Sequence, residues 1–434
     1  MPGADNAPVE ATIFAYQVGF GDCFLLRFTY EDQPSKHILI DCGTTGLPPD
    51  VAGSQLLVVA QDIAEKCGNK LDIVVATHRH ADHISGFATK ADGKGSGDVL
   101  KALKPDLVLQ PWTEAPDAPL DSLGPDPVDG AKAFAARKNT LAAMHAVSAQ
   151  VVAHIDQRQF QRMPALAGQL RFIGEDNLAN LSAVRNLQDM GAAGTSVYCF
   201  HGCDPKTDTL LPGVKVHVLG PPTLHQSDTI RKQRSRDKDE FWQLAPKQIG
   251  EAMGPLADQS LFPDAPYDPA SKLLTEQRWL AERIDTANAE QLLGLVRALD
   301  DQMNNTSLIL LFEAGSKSLL FPGDAQLENW EFALQSPFAD LLADVDVYKV
   351  GHHGSLNATP KSMWSKLANR GPKSKPGRLT SVMSTMAGKH GNEHSHTEVP
   401  RKTLVDALRA ETDLRSTADL ATNALYDEIT INLR

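Results

Sequence analysis

Residues 78–83 hold the densest group of side chains that could bind a metal. Three histidines and one aspartate occupy these six positions, His78-Arg79-His80-Ala81-Asp82-His83, which follow the apolar residues 73–76 and Thr77. Imidazole nitrogens and carboxylate oxygens are preferred ligands of divalent transition metals. His78 and His80 would share one face if strand geometry continued, while Asp82 and His83 would turn back toward a second ion. The segment therefore predicts a metal site at the end of a buried strand.

Histidines are concentrated in two further segments of the chain. Eight of the 14 histidines lie in three short clusters: His78, His80, His83, His352, His353, His390, His394 and His396. A core or surface role does not concentrate histidines in this way, so we expect a chemical role for all three clusters.

Hydrophobic periodicity predicts the elements that position these clusters. Strands are predicted at 12–30, 37–43, 72–76, 107–109, 214–218, 318–321 and 346–350, and helices at 55–66, from 327 onward and at 399–408. Their order suits an α/β fold of the αββα sandwich type. We interpret residues 1–434 as a single domain with two insertions, a helical one at about 113–212 and another at 223–301. The second is expected to be a charged, Pro-rich loop followed by a helix.

Composition narrows the class of protein. The formal net charge of −12 argues against a protein that binds nucleic acid over its whole surface. Bound cations could still offset the negative charge locally. The five cysteines do not suggest a disulfide framework. The N-terminal residues lack the pattern of a signal peptide, and no run of about 18 apolar residues occurs. We therefore expect a cytoplasmic protein that makes no membrane contact.

Several segments together resemble the metallo-β-lactamase fold superfamily, whose members are mostly dinuclear metallohydrolases. The ordered set is most similar to the hydrolase domain of ComEC-type DNA-uptake proteins. It comprises 18–22 and 38–43, the motif at 78–83, residues 304–310 and 319–324, the His-His-Gly-Ser motif at 352–355, and the late histidines at 390–396. The resemblance says little about 113–212 or 223–301.

The resemblance implies a set of metal ligands for two divalent ions, Zn²⁺ or Mn²⁺. His78 and His80 match the ligands of one ion, Asp82 and His83 match those of the other, and Asp324 matches the bridging carboxylate. Of His352 and His353, we expect one to be a ligand and the other a substrate contact or supporting donor, and the sequence leaves both assignments open. Asp41 resembles a buried carboxylate that orients the ligands through hydrogen bonds.

One position departs from the wider superfamily. Many members have another histidine ligand before the bridging aspartate, where this chain has Asn304-Asn305-Thr306-Ser307, as the ComEC-type group does. His201, His217 or His225 are alternative sources of the missing ligand. The resemblance further implies substrate contacts from Asn305, Ser307 and Ser355.

The late histidines provide candidate catalytic groups beside Asp82. His396 is expected to protonate the leaving group or bind the scissile phosphate, with His394 as its neighbour. His396 is preferred because it precedes the helix predicted at 399–408, whose N-terminus would attract an anion.

These expectations favour a dinuclear-metal phosphodiesterase, most simply a nuclease that uses metal-hydroxide attack on nucleic acid. An alternative keeps the site but acts on a small phosphodiester, lactam, lactone or thioester. Another alternative is a metal-stabilised effector module that binds a protein partner through the two insertions. The sequence makes no prediction of the oligomeric state.

Overall fold

The computed structural model describes residues 7–48, 51, 53–115, 124, 181–227, 303–355, 359–390, 398–421 and 423–434. Most of both predicted insertions, and the late histidines His394 and His396, lie outside these residues. Within the described part of the chain, no helix is both long and apolar enough to cross a membrane.

Two β-sheets form the centre of the molecule. The strands of the first are β1 (Glu10–Tyr16), β2 (Cys23–Thr29), β3 (Lys36–Cys42), β4 (Ile73–Val75), β5 (Leu107–Pro111), β6 (Thr195–Cys199) and β13 (Tyr426–Asn432), in the order β13-β1-β2-β3-β4-β5-β6. Those of the second are β7 (Val214–Gly220), β8 (Ile309–Ala314), β9 (Lys317–Phe321), β10 (Val345–Lys349), β11 (Thr380–Met383) and β12 (Asp413–Ser416), in the order β12-β11-β10-β9-β8-β7.

Helices cover the outer face of each sheet. They are α1 (Gln55–Lys66), α2 (Ala81–Ile84), α3 (Ser96–Ala102), α4 (Leu181–Ala193), α5 (Leu327–Gln335), α6 (Lys361–Lys366) and α7 (Lys402–Glu411). One apolar cluster, which includes Phe24 and Phe321, fills the space between the sheets. A second packs α1, α3 and α4 on the first sheet, and a third packs α5, α6 and α7 on the second. The predicted αββα sandwich is confirmed.

Parallel pairing determines where the loops gather. Strands β3 to β6 run parallel in the first sheet, and β9 to β12 run parallel in the second. The carboxyl ends of neighbouring parallel strands meet at one edge of a sheet, which is where open α/β sheets carry their ligands. The loops after β3, β4, β9 and β10 therefore converge.

Two boundaries differ from the sequence prediction. Residues 181–212 were assigned to a helical insertion, but α4 packs on the first sheet and β6 pairs in parallel with β5, so residues 181–199 are part of the sandwich. The weak alternation in residues 195–199 hid this edge strand. The helix predicted at 399–408 begins at Lys402, because the residue before Pro400 is disfavoured in a helix.

Candidate functional site

Four buried side chains from three loops converge at the edge between the sheets. Asp82 and His83 lie in α2 after β4, Asp324 follows β9, and His353 follows β10. Each offers one ligand atom, and these four atoms lie within 4.8 Å of one another. His83 Nε2 is 3.1 Å from Asp324 Oδ2, and His353 Nε2 is 2.9 Å from Asp82 Oδ2. Two carboxylates and two imidazoles thus surround one point.

A second group shares Asp82 with the first. His78, His80 and Asp82 each place a ligand atom within 4.8 Å of the others. His78 Nε2 lies 3.0 Å from His80 Nδ1, and both rings are buried. The short motif at 78–83 therefore contributes to both groups, because the chain leaves β4 in an extended conformation and then turns into α2. Its His83 also forms a third group with Asp22 and Asp41.

Asp41 holds His83 from behind. Its Oδ2 accepts a hydrogen bond from His83 Nδ1–H at 2.7 Å, and its Oδ1 accepts the backbone N–H of Thr77 at 2.7 Å. The Thr77 hydroxyl also donates to Oδ2 at 2.7 Å. Because a carboxylate can only accept, His83 donates a proton from Nδ1 to Asp41, and Nε2 is the ring nitrogen that faces the cluster.

Asp324 is fixed on both its backbone and its side chain. Its N–H donates to the Ser307 hydroxyl at 3.2 Å, and its Oδ1 accepts the His352 N–H at 3.0 Å. Ser307 is fully buried in this arrangement. The structure thus places Ser307, which was expected to contact substrate, under the loop of Asp324, where it supports that backbone.

The structure places the rings of His352 and His353 differently. Both have left-handed backbone angles, with φ of 44° and 52°, and Gly354 follows with φ of 87°. This turn directs the fully buried His353 ring into the cluster. His352 contributes its backbone N–H to Asp324, while its half-buried ring lies 6.3 Å from that of His353. Such strained backbone is typical of functional sites.

A buried ion pair adjoins the cluster and was missed in the sequence. Lys349, the last residue of β10, places Nζ against Asp22 Oδ2 and 3.3 Å from Asp324 Oδ1. Both Lys349 and Asp22 are buried. The one available signal was a lysine between apolar residues of a buried strand pattern.

The segments around Gly21 and Gly43 pack closely on the motif. The Asp22 N–H donates to the carbonyl oxygen of Asp82 at 2.9 Å. A Cβ at position 43 would lie 2.4 Å from the carbonyl carbon of Asp82. Glycine is therefore required at position 43 for the β3 loop to approach α2.

The other residues considered from sequence lie outside the cluster. Asn305 donates through Nδ2 to Glu328 Oε2 at 2.8 Å, and Ser355 is buried with its N–H bonded to the His352 carbonyl. His201 Nδ1–H donates to the Leu219 carbonyl at 2.7 Å, and His217 Nε2 lies 2.5 Å from Glu313 Oε2.

Within the described residues, none of the groups able to hold a metal includes His201, His217 or His225. The alternative in which one of them supplies the missing ligand is therefore not supported. The position remains without a histidine, as in the sequence pattern.

His390 is the one late histidine that the structure describes. Its ring lies 4.2 Å from that of Phe20, which in turn lies 4.4 Å from the ring of His353. His390 pairs with Val399 in an isolated β-bridge. His394 and His396 lie outside the described residues. Because α7 begins at Lys402, the expected helix N-terminus directly after His396 is absent.

The electrostatics of the cluster follow from burial and from its own charges. Burial, together with His83 and His80, holds the pKa of His78 well below its ordinary value. For Asp324, burial is outweighed by His83, Lys349 and His353, which hold its pKa well below the usual range. For His83, burial is outweighed by Asp324, Asp82 and Asp41, which raise its pKa. These shifts leave Asp324 ionised, His83 protonated on both ring nitrogens and His78 neutral.

The donor set fits divalent cations. Asp82 Oδ1 is buried without a hydrogen-bond partner in the structure. Buried carboxylates are costly unless a cation or several donors compensate them, and here four of them, Asp22, Asp41, Asp82 and Asp324, lie around one cluster. Histidine nitrogen and aspartate oxygen suit Zn²⁺ and Mn²⁺.

Comparison with known proteins agrees with the sequence motifs and the fold. Residues 16–91 match the family model described as the metallo-beta-lactamase superfamily. A stretch of 64 residues is 36% identical to Recombination protein 2 of Haemophilus influenzae, covering 15% of this chain and 8% of that protein. The chain is thus similar to a small part of that relative.

Proposed function

Because this chain has the metallo-β-lactamase fold and its motifs, we propose that it is a metal-dependent phosphodiesterase that cleaves nucleic acid. The observation that carries the proposal is the convergence of Asp82, His83, Asp324 and His353, with His78 and His80 sharing Asp82. The two groups that share Asp82 would hold two ions, whereas in the third group Asp41 is bonded to His83 and Asp22 is paired with Lys349. A pair of divalent ions activates water and stabilises the charge that develops on phosphate oxygens.

The chain's own residues prepare the site for that chemistry. His78, His80, Asp82, His83, Asp324 and His353 would hold the ions, and Asp41 orients the His83 ring. We propose that the His352 ring, which lies beside the cluster, contacts substrate, while its backbone N–H donates to Asp324. We propose His396 or His394 as the group that protonates the leaving oxygen.

Nucleic acid is favoured over a β-lactam as substrate for two reasons. The ComEC-type motif set, with asparagines at 304–305 in place of a ligand, is found in the sequence. The relative with partial identity is named a recombination protein, which concerns nucleic acid. The net charge of −12 favours the second candidate, a small phosphodiester.

The test is cleavage by metal-stripped protein to which Mn²⁺ or Zn²⁺ is restored. Plasmid, linear duplex, single-stranded DNA, RNA and bis(p-nitrophenyl) phosphate are offered in parallel. Asp82→Ala should abolish cleavage, whereas Asp189→Ala, on the exposed side of α4, should not. Activity should fall steeply with added salt if the substrate is a polymer.

Cleavage of the small diester alone would replace the nuclease proposal by the second candidate. Full activity in Asp82→Ala would refute a role for the cluster. Metal-loaded protein that cleaves none of these substrates would refute the phosphodiesterase proposal and direct the search to lactams, lactones and thioesters.

A further inference from the structure

Lys349 is a buried cation that lies among the side chains proposed to bind metal ions. Its side chain is 2% exposed, and its Nζ contacts Asp22 Oδ2, Asp324 Oδ1 at 3.3 Å and the Gly323 carbonyl at 3.1 Å. Burial opposes the charged ammonium, but Asp22 and Asp324 outweigh it and raise the pKa of Lys349. A buried charge of this kind is retained only where its contacts compensate its desolvation.

The two oxygens of Asp324 have different surroundings. Oδ1 accepts the His352 N–H at 3.0 Å and faces the Lys349 ammonium. Oδ2 faces the imidazoles, at 3.1 Å from His83 Nε2 and 3.6 Å from His353 Nε2. The carboxylate therefore presents a single oxygen to the ligand cluster.

We propose that Lys349 is a positioning residue: held by Asp22, it fixes the rotation of the Asp324 carboxylate so that Oδ2 alone faces the metal site. The inference rests on the proposed function, because it assigns Lys349 a task in the same metal centre. Asp22 would act through Lys349, since its own carboxylate is engaged by the ammonium.

Charge and geometry make opposite predictions for the loss of this lysine. A positive charge beside a metal site repels a divalent cation, so a purely electrostatic Lys349 would weaken metal binding, and its removal would strengthen it. A positioning Lys349 strengthens binding by orienting the ligand, so its removal weakens it. The direction of the change in affinity distinguishes the two.

The experiment measures Mn²⁺ and Zn²⁺ affinity by competition with a chromophoric chelator, without substrate. Lys349→Met is compared with wild type and with Lys36→Met, which removes a lysine from an aspartate pair elsewhere in the first sheet. Thermal unfolding of each metal-free protein shows whether it is folded. We expect affinity to fall about 10- to 100-fold in Lys349→Met and to remain unchanged in Lys36→Met.

A double variant, Asp22→Asn with Lys349→Met, removes both members of the ion pair. It leaves no new uncompensated charge, so it remains informative if the single variant unfolds. Because Asp22 also belongs to a group able to hold a metal, the double variant is compared with Asp22→Asn alone, and weaker metal binding by the double variant supports positioning of Asp324. Equal or tighter binding by either folded variant overturns it. Wild-type protein that binds no divalent metal would instead refute the proposed function.

Discussion

Asp41 Oδ2 and His83 Nδ1 lie 2.7 Å apart, which sets the proton of the imidazole on the side away from the ligand cluster. Asp41 itself has a left-handed backbone with φ of 57°, and its other oxygen holds the Thr77 N–H. One carboxylate thus couples the end of β3 to the start of the metal-binding motif. The relationship is testable because an amide has nearly the same shape.

Asp41→Asn should weaken metal binding and turnover by about 10- to 100-fold. The amide would present N–H to His83 Nδ1, which moves the imidazole proton to Nε2 and blocks its lone pair. Metal content and kcat for the responsive substrate measure the effect. Asp346→Asn is the matched control, because Asp346 also accepts a backbone N–H, that of Ser318. Equal losses in the two variants would contradict the assignment.

His353→Ala and His352→Ala should have different effects. The His353 ring is part of the four-residue group, so its loss should lower metal affinity by at least about 100-fold, more than loss of an orienting partner does. The His352 ring is outside the described ligand groups, so its loss should leave affinity within a few-fold and change KM or kcat. Chelator competition and steady-state kinetics separate these effects. The reverse pattern would show that His352 is the ligand.

Gly323→Ala should damage the site beyond its backbone cost. Gly323 has φ of +56°, and a Cβ there would lie 2.9 Å from Thr77 Cβ and 3.0 Å from Thr77 Oγ1. Gly377 has φ of +61° with nothing within 4 Å, so Gly377→Ala isolates the left-handed strain of about 1–2 kcal/mol. Urea unfolding should show a larger loss for Gly323→Ala, accompanied by weaker metal binding. Identical behaviour of the two variants would show that the contact with Thr77 is unimportant.

His37 should make the metal-free protein less stable in mild acid. Burial, reinforced by Arg27 and Lys36 against the opposing pull of Asp72, lowers the pKa of His37 from 6.5 to about 4. Between pH 6.5 and about 4, His37 is therefore protonated in the unfolded chain but not in the folded chain. The free energy of unfolding falls as the pH is lowered through this range. The full contribution is about 3 kcal/mol.

The measurement is urea unfolding of wild type and His37→Leu over this pH range. The variant should show a shallower loss of stability, while His390, whose burial lowers its pKa to about 3, preserves part of the dependence in both proteins. Parallel curves for the two proteins would contradict the account of His37.

The sequence predicted those site residues that lie close together in short motifs. The motif at 78–83, the strand before it and helix α1 at Gln55–Lys66 needed only local periodicity. The αββα sandwich followed from the order of these elements. Asp41 and Asp324 were identified through the resemblance to the metallo-β-lactamase superfamily, and the structure brings both to the cluster.

What the sequence could not give depended on contacts between distant segments. The Asp22–Lys349 pair joins two sheets, and although Lys349 lies between apolar residues of a strand, no local pattern links it to Asp22. The resemblance implied that Ser307 contacts substrate. Its burial under Asp324 depends on tertiary packing, which the local sequence does not show. The edge strand β6 lacked clean alternation, since its residues are only half-buried.

Asp82 and His353 touch across a separation of 271 positions. During translation the histidine-rich motif is therefore made long before β10, whose loop carries His353. A nascent chain that ends before Lys349 has His78 to His83 but lacks Lys349 and His353, so the proposed metal centre would be incomplete. Under the proposed function, metal capture would therefore wait until β10 has been made and its loop has packed against the loop after β4.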